Sequence, residues 1–399
     1  MVFDKKAIKY MKRNLPRKSL DRIKKAAQWI VEAKEKGKKV VAVMGSGPNL
    51  HEGATTLVAE LIHKGIIDGV TTSSAVINHE MAGTLEKVKR INGSRLGIDK
   101  SKLPADGVFE VSIIPRSAVY KYEDVPGIDM GLYKKMRRAR GDIIIKVAGN
   151  IAYPTGLYTE IISRDILSLS KKRNVSFETT AGIGADPMTM IGAGVLNNIP
   201  VLVTVPQLVG GGEVGLAIGD SLPISERNYR IAELLDSADV IIESAVALTQ
   251  EVHDGPFELY TGHGIWKNWE GGWSYSLANK KIVRIDMDPN LERAWTQERR
   301  SKSVSKAVDK GLPKTKNLKI PFRMEMSGFA RIPGSLPVVT DIGIFWPVVA
   351  NIVADSLGIQ LDFMCYKQSM AAGKRVREWI AKNVKPVDIN LILKDKYPR

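Results

Sequence analysis

The sequence predicts a doubly wound, mostly parallel α/β sheet, and three observations predict it. Short β-branched apolar runs, such as KVVAVM at 39–44 and PVLVTV at 200–205, carry no polar alternation, as expected of strands covered on both faces. Segments of helical periodicity separate these runs. A glycine-rich loop at 45–53 joins the first run to the first such helix. Strand, loop, helix and strand in that order require a parallel pair joined by a right-handed crossover.

Each element follows from its own pattern. Residues 5–36 read as one or two amphipathic helices broken near Pro16, with Ile8, Met11, Leu20, Ile23, Ala27, Ile30 and Val31 at helical spacing and Gly37 closing them. The strand at 39–44 comes next, then the glycine loop. A helix at 54–64 ends at Gly65, and a second strand spans 67–72. Further strands are expected at 142–147, 175–177, 200–205, 239–245 and 281–287, and helices at 158–171, 187–197, 226–237 and within 340–357. Residues 92–140 hold few periodic apolar positions and read as an insertion. Residues 250–280, with Trp266, Trp269 and Trp273, read as a long structured loop that would serve as a lid. Residues 297–335 are basic and poorly patterned. The expected organisation is an N-terminal helical segment at 1–37, one domain at 38–358 with insertions at 92–140 and 250–280, and a C-terminal helical tail at 359–399.

Composition sets the broad class. The 399 residues are 44% hydrophobic and 26% charged, enough to bury one large core or two smaller ones. The apolar runs are too short to span a bilayer. The N-terminal stretch is charged and lacks an apolar core, so a cytoplasmic protein without a secretory signal is expected. The single cysteine, Cys365, excludes an internal disulfide framework and a cysteine-rich metal site. No H-x-x-x-H or H-E-x-x-H spacing occurs, so no metal site is expected. Few cysteines beside abundant Lys, Arg, Glu and Ile fit a thermophile. The formal net charge of +16 attracts anions. A solvated basic surface is the first explanation, and phosphorylated or acidic small ligands come second. Nucleic acid is disfavoured, because the tightest cluster, at 134–140, has no interleaved aromatics.

Several segments carry candidate chemistry. In the loop, Gly45, Ser46, Gly47 and Asn49 would let a ligand approach the backbone, and Gly53 would let the helix pack near the sheet. A helix start favours a pyrophosphate, but the glycine spacing is three residues longer than G-x-G-x-x-G, and a plain tight turn explains it equally. Thr72, Ser73 and Ser74 end the second strand, where hydroxyls would bond phosphate or ribose or cap the next helix. The triple glycine with Gly211 at its centre, followed by Asp220, either touches a ligand or forms a surface loop. Asp286 ends a strand, where it would hold ribose hydroxyls or make a turn. His51 and His79 follow the first and second strands, each beside a glutamate (Glu52, Glu80), and His51, His79 and Glu80 are the candidate proton-handling groups. His63 reads as structural, and Cys365 has no evident partner.

The run from Val40 to Gly83 resembles the NAD-binding region of deoxyhypusine synthase. It is similar, more closely, to the C-terminal domain of the archaeal ornithine cyclodeaminase family, a lysine-oxoglutarate reductase/saccharopine dehydrogenase (LOR/SDH) conserved domain. The matching residues are Gly47, Pro48, His51 and Gly53, then Leu61, Ile62, Gly65 and Asp68, then Ser74, Ala75, His79 and Glu80. IGDSLP at 218–223, IVRIDMDP at 282–289 and VVTDIG at 338–343 match later segments of that family, which adds Asp341 to the cofactor candidates. The resemblance implies a Rossmann-like fold, NAD (alternatives NADP or FAD) and hydride transfer from an amine or amino acid through an imine. It also implies a homo-oligomer, a dimer or tetramer. The lysine-bearing segment of deoxyhypusine synthase is absent, which argues against that reaction. A non-catalytic nucleotide-binding or subunit-assembly module is the alternative, and an RNA-binding protein a less favoured one.

Overall fold

The computed structural model describes residues 3–244 apart from 46, 150, 151 and 207, then 277, 279–287 and 335–395, with isolated positions at 289, 293, 296, 300, 306 and 310. The tryptophan-bearing part of 250–280 and most of 297–335 lie outside the described residues. Among the described residues the strands are β1 (Lys39–Met44), β2 (Gly69–Ser73), β3 (Leu85–Asn92), β4 (Val108–Ser112), β5 (Gly141–Val147), β6 (Val201–Val205), β7 (Ala238–Ser244), β8 (Lys281–Asp286) and β9 (Leu336–Val339).

Six of them form one sheet in the order β6-β2-β1-β7-β8-β9, and every neighbouring pair is parallel. Counted by their appearance along the chain, these six strands run 3-2-1-4-5-6. That is the Rossmann-like doubly wound order, in which the connections reverse between the first and fourth strands and open a crevice at their carboxyl ends. Here the reversal falls between β1 and β7, with Met44 in register with Ser244. The two faces of β1 feed separate cores. Val40, Ala42 and Met44 pack on one side, Val41 and Val43 on the other, and all five are fully buried. Each valine and methionine among them contributes about 1.5–3 kcal/mol by leaving water, which is why this run reads as continuously apolar.

The N-terminal helices α1 (Lys5–Asn14) and α2 (Arg17–Glu35) meet at Pro16. Leu15 before it is extended, at φ −74° and ψ 140°, because the proline ring disfavours a helical predecessor. Helix α2 lays Ile23, Ala26, Ala27, Ile30 and Ala33 into the core.

Between β2 and β6 the chain builds a second, antiparallel sheet in the order β4-β3-β5. This corrects one expectation. The run at 142–147 is a strand, but β5 joins this small sheet instead of the parallel one. Its exposed to half-buried residues fit an edge and not a covered interior. The region 92–140, which lacks periodicity, holds β4 and two short helices whose few core contacts leave little pattern to read.

Among the described residues the α-helices following α2 are α3 (Pro48–His51), α4 (Ala54–His63), α5 (Ser74–Met81), α6 (Arg116–Glu123), α7 (Met130–Arg138), α8 (Thr155–Arg173), α9 (Phe177–Gly184), α10 (Met190–Leu196), α11 (Gly212–Ser221), α12 (Ile224–Asp236), α13 (Ile342–Leu357), α14 (Ala371–Asn383) and α15 (Ile389–Lys394). The strand expected at 175–177 does not form. Ser176 caps α9 instead, its side chain accepting from the Thr179 N–H, and a serine cap outweighs a three-residue apolar run. The sequence reading also missed β9. Pro337 lies in it, and proline is admitted on an edge strand such as this one.

The opposite edge, β6, is closed by side chains. Glu178 accepts the Val203 N–H at 2.7 Å, and Arg227 Nη1 donates to the Val203 carbonyl at 3.2 Å. The two side chains pair at 2.7 Å, both buried. Arg227 Nη2 also donates to Ile218 O at 2.9 Å and Ser221 Oγ at 3.0 Å. An open strand edge is thereby occupied. Arg227→Met leaves a buried carboxylate without its counter-charge, and a loss of about 3–5 kcal/mol is expected in urea unfolding. Adding Glu178→Met to that variant should recover part of the loss.

Candidate functional site

The crevice between β1 and β7 is tied from beneath. The Gly45 N–H donates to Ser244 O at 2.9 Å. The Asn49 amide, fully buried, donates to Gly45 O at 3.0 Å and Ser244 O at 2.9 Å, and its oxygen accepts from Ser244 Oγ at 2.6 Å. Trp346 Nε1 donates to the same hydroxyl at 3.0 Å. Thr72 Oγ1 donates to Met44 O at 2.6 Å, which joins the end of β2 to that of β1. Asn49 and Thr72 therefore hold the strand ends together through bonds internal to the protein.

Above this tie the loop is open. Gly47 adopts φ 64° and ψ −92°, close to the rare γ-turn conformation that glycine accepts at least cost. A Cβ placed there would meet nothing within 4 Å among the described residues. Gly53, at φ 74°, is a packing position, where a Cβ would stand 3.0 Å from Ile380 of α14. Ser46 lies outside the described residues.

The next two strands toward β6 end in polar atoms. Ser73 Oγ, Thr204 Oγ1 and Asn78 Oδ1 are buried without a hydrogen-bond partner among the described residues. Ser74 beside them is fully buried. An unpaired buried polar atom costs about 1–3 kcal/mol. The triple glycine serves close approach within the protein. Gly210 lies against Ala75, where a Cβ would sit 2.9 Å away, and its carbonyl accepts from Asn78 Nδ2 at 3.3 Å. Gly211 caps α11, and a Cβ on Gly212 would collide with the Glu160 carboxylate. Asp220 lies near the far end of α11, exposed and paired with Lys171 at 2.6 Å. It is not brought to the crevice mouth, since eight residues of helix span about 12 Å.

Two imidazoles, His51 and His79, lie close enough for one to act on the other's proton affinity. His79 of α5 is buried, and its Nδ1 bonds Ala148 O at 2.6 Å just beyond β5. A carbonyl partner requires Nδ1 to carry the proton, which leaves Nε2 with a free lone pair. His51 ends α3, and Arg377 Nη1 approaches its Nδ1 at 3.2 Å. A guanidinium only donates, so this Nδ1 accepts. Burial lowers His79 to about 4, and the charges of His51 and Lys146 act in the same direction. His51 is lowered by burial, then by Arg377 and Lys146. Both rings are therefore neutral near pH 7.

The supporting shell comes from distant parts of the chain. Arg377 of α14 also donates to His51 O at 2.7 Å, Gln368 Oε1 at 3.1 Å and Ile145 O at 2.5 Å. Lys146 of β5 pairs with Glu110 at 2.5 Å. Glu52 is pushed up to about 7 by burial and accepts the Gln368 N–H at 2.5 Å. Glu86, half-buried on β3, is likewise raised to about 7 by desolvation and accepts the Gly149 N–H at 3.0 Å. Asp341 caps α13 by accepting the Gly343 N–H at 2.8 Å and pairs with Lys367 at 3.2 Å. Asp286 ends β8 in register with Val339.

Glu80 is not part of this group. Although it follows His79 in sequence, its two oxygens accept the Met190 and Ile191 N–H groups at 2.8 and 3.2 Å, at the start of α10. Burial raises it to about 8. His63 bridges Pro187 O and Asn197 at 2.8 and 2.9 Å, a structural role. The Cys365 thiol is buried and raised well above its ordinary value, which keeps it unreactive. Sequence reasoning missed Arg377 and Lys146. A separation of 326 residues between Arg377 and His51 leaves no local signal, whereas Glu52 was visible beside His51. Among the described residues no helix is long and apolar enough to cross a membrane, and no group of three or more His, Cys, Asp or Glu could hold a metal ion.

Fold and crevice together define a Rossmann-like doubly wound α/β protein with two neutral imidazoles at the carboxyl edge of its sheet. No family model matches the chain, and no curated protein matches it. Solved structures similar to it include ArgZ, an arginine dihydrolase from the ornithine–ammonia cycle in cyanobacteria, at 14% identity and a TM-score of 0.41, covering 86% of this chain and 32% of that one. Another is AgrE in a ternary complex with ornithine and NAD+, at 15% identity and a TM-score of 0.42, covering 90% of this chain and 34% of that one. A conserved putative LOR/SDH protein from Methanococcus maripaludis S2 aligns at 13% identity and a TM-score of 0.40, covering 87% of this chain and 70% of that one. The chain thus spans about a third of the length of the ArgZ and AgrE structures.

His79 yields a pH prediction. The unfolded chain takes up this proton below the ordinary 6.5, but the folded protein refuses it until about 4. Stability should therefore fall as pH drops through that window, by about 3 kcal/mol from this group alone. Unfolding measured at intervals of pH should show this slope, and His79→Gln should flatten it.

Proposed function

We propose that the chain is an NAD-dependent enzyme that removes hydride from the amine-bearing carbon of an amine or amino acid, forming an imine. The observation that carries this reading is the open Gly47 loop at the strand-order reversal, with two neutral imidazoles at the same rim. The fit to a dinucleotide rests on that open loop and on the unpartnered oxygens of Ser73 and Asn78, which a ribose or phosphate group would engage. The backbone at Gly45 and Gly47 would lie against the pyrophosphate, with Ser73 and Ser74 at the ribose. Asp286 and Asp341 remain candidates on the other half of the sheet. Bound NAD supplies a hydride acceptor.

The remaining chemistry belongs to side chains. An amine arrives as an ammonium ion and must lose a proton before hydride can leave its carbon. The free Nε2 of His79 accepts that proton. Burial keeps both rings neutral, helped by Lys146 at both and by Arg377 at His51, and the two cations would attract the carboxylate of an amino acid. Glu80 is reserved for the α10 start and takes no part.

Two measurements test this reading. The purified protein is denatured, the released small molecules are identified by mass spectrometry and ultraviolet absorbance, and NAD, NADP and FAD are titrated calorimetrically. Recovery or saturable binding of NAD is expected. Failure of all three to bind would sink the proposal, and preference for NADP or FAD would correct the cofactor. His79→Gln should leave NAD affinity unchanged and lower amino-acid-dependent NADH formation by about 10²–10⁴-fold. NAD binding with no turnover on any amine or amino acid would leave a nucleotide-binding module.

A further inference from the structure

Glu86 of β3 has no part in the chemistry proposed above, yet it bonds the same peptide group as His79. The Gly149 N–H donates to Glu86 Oε1 at 3.0 Å. The carbonyl of that same peptide, Ala148 O, accepts the His79 Nδ1 proton at 2.6 Å. Tyr153–Pro154 is the only cis bond among the described residues, so the Ala148–Gly149 peptide is trans. Its N–H and C=O therefore point in opposite directions. Carboxylate and imidazole stand on either side of one amide.

The amide is fixed in place by its neighbours. The Ala148 N–H donates to Thr84 O at 3.0 Å, and the Thr84 N–H donates to His79 O at 2.7 Å. Gly149 has φ 80°, and a Cβ there would stand 2.9 Å from that of Ala82, just beyond α5. Both the conformation and the close approach favour glycine. Around Glu86 stand the hydroxyls of Ser112 and Thr155 and the ammonium of Lys146, from β4, α8 and β5, all of which favour its charged form. The Tyr122 phenol of α6 is near it as well.

Resonance couples the two ends of a peptide group. An anion accepting its N–H shifts electron density to its carbonyl oxygen and makes that oxygen a stronger acceptor, as in any chain of hydrogen bonds. A stronger acceptor at Nδ1 holds the proton there and makes Nε2 more basic. We propose that Glu86 is a positioning residue for His79 and acts on it through the Ala148–Gly149 peptide. Its catalytic meaning rests on His79 being the base of the reaction proposed above, but the coupling itself is a property of the folded chain. Desolvation raises Glu86 to about 7. The coupling therefore strengthens as pH rises through that value. His79 stays neutral there, since burial delays its own protonation to about 4.

The test is nitrogen NMR of the full chain with isotope-labelled histidines, the His79 signals being assigned by their loss in His79→Gln. Above the Glu86 midpoint, His79 should show a protonated Nδ1 and a bare Nε2. Both signals should shift with a midpoint of about 7 without the ring taking up a proton. Glu86→Gln keeps an acceptor for the Gly149 N–H and removes the charge, so the tautomer should persist and the inflection should vanish. An inflection that survives in Glu86→Gln belongs to another group and overturns the proposal. So does a parent protein with no inflection near 7, or a ring that itself titrates at its ordinary 6.5. In turnover, Glu86→Gln should lower kcat by up to about tenfold with KM unchanged, as a base weaker by about one unit does. The spectra need neither cofactor nor substrate, so a failure to bind NAD and a failure of this coupling are separate results.

Discussion

The structure depends most on the hydrogen-bond knot between Asn49 and Ser244. A parallel sheet that reverses its connections leaves two adjacent strand ends with no chain passing between them, and that gap is the crevice. Something must satisfy the backbone groups at its floor. Asn49 does so for Gly45 and Ser244 at once, Ser244 returns its own hydroxyl, and Trp346 closes the set. All of these groups are buried, in surroundings where an unmade bond is costly. With the floor so tied, the loop above can hold Gly47 at positive φ with no described atom within 4 Å of where a Cβ would stand.

The electrostatics of the rim follow from the small sheet standing against this floor. Lys146 and Ala148 arrive on β5 and its extension, and Arg377 arrives on α14. Burial and these cations act together on His51 and His79, and both rings lose their affinity for a proton. The carboxyls of Glu52 and Glu86 are pushed the other way by the same burial. The rim thus holds carboxyls raised to about 7 beside imidazoles lowered below their ordinary 6.5, shifts of the kind that cluster at functional sites.

The antiparallel sheet has a second consequence. Its inner end carries Ala148 and Lys146 to the imidazoles, and its outer end gathers Lys89, Arg90, Arg95, Arg138 and Arg140 around one groove. Basic residues that look scattered along the sequence become a cluster because antiparallel pairing brings the end of β3 beside the start of β5.

The sequence by itself determined the parallel sheet and its first crossover. Buried strands without alternation, the broken N-terminal helices and the glycine loop are local signals, and local propensity and solvent exclusion suffice to read them. It also marked His51 and His79, since each follows a strand of that sheet at its ligand-binding edge. Only the tertiary structure decided that β5 leaves the main sheet, that 175–177 begins a helix, and that Glu80 turns from its neighbour His79 to cap α10. Tertiary structure alone also brought Arg377 and Lys146 to the imidazoles. Consecutive helix positions point about a quarter-turn apart, and contacts made across hundreds of residues leave no period in the chain. Those choices are settled by packing, which one strand or helix cannot express alone.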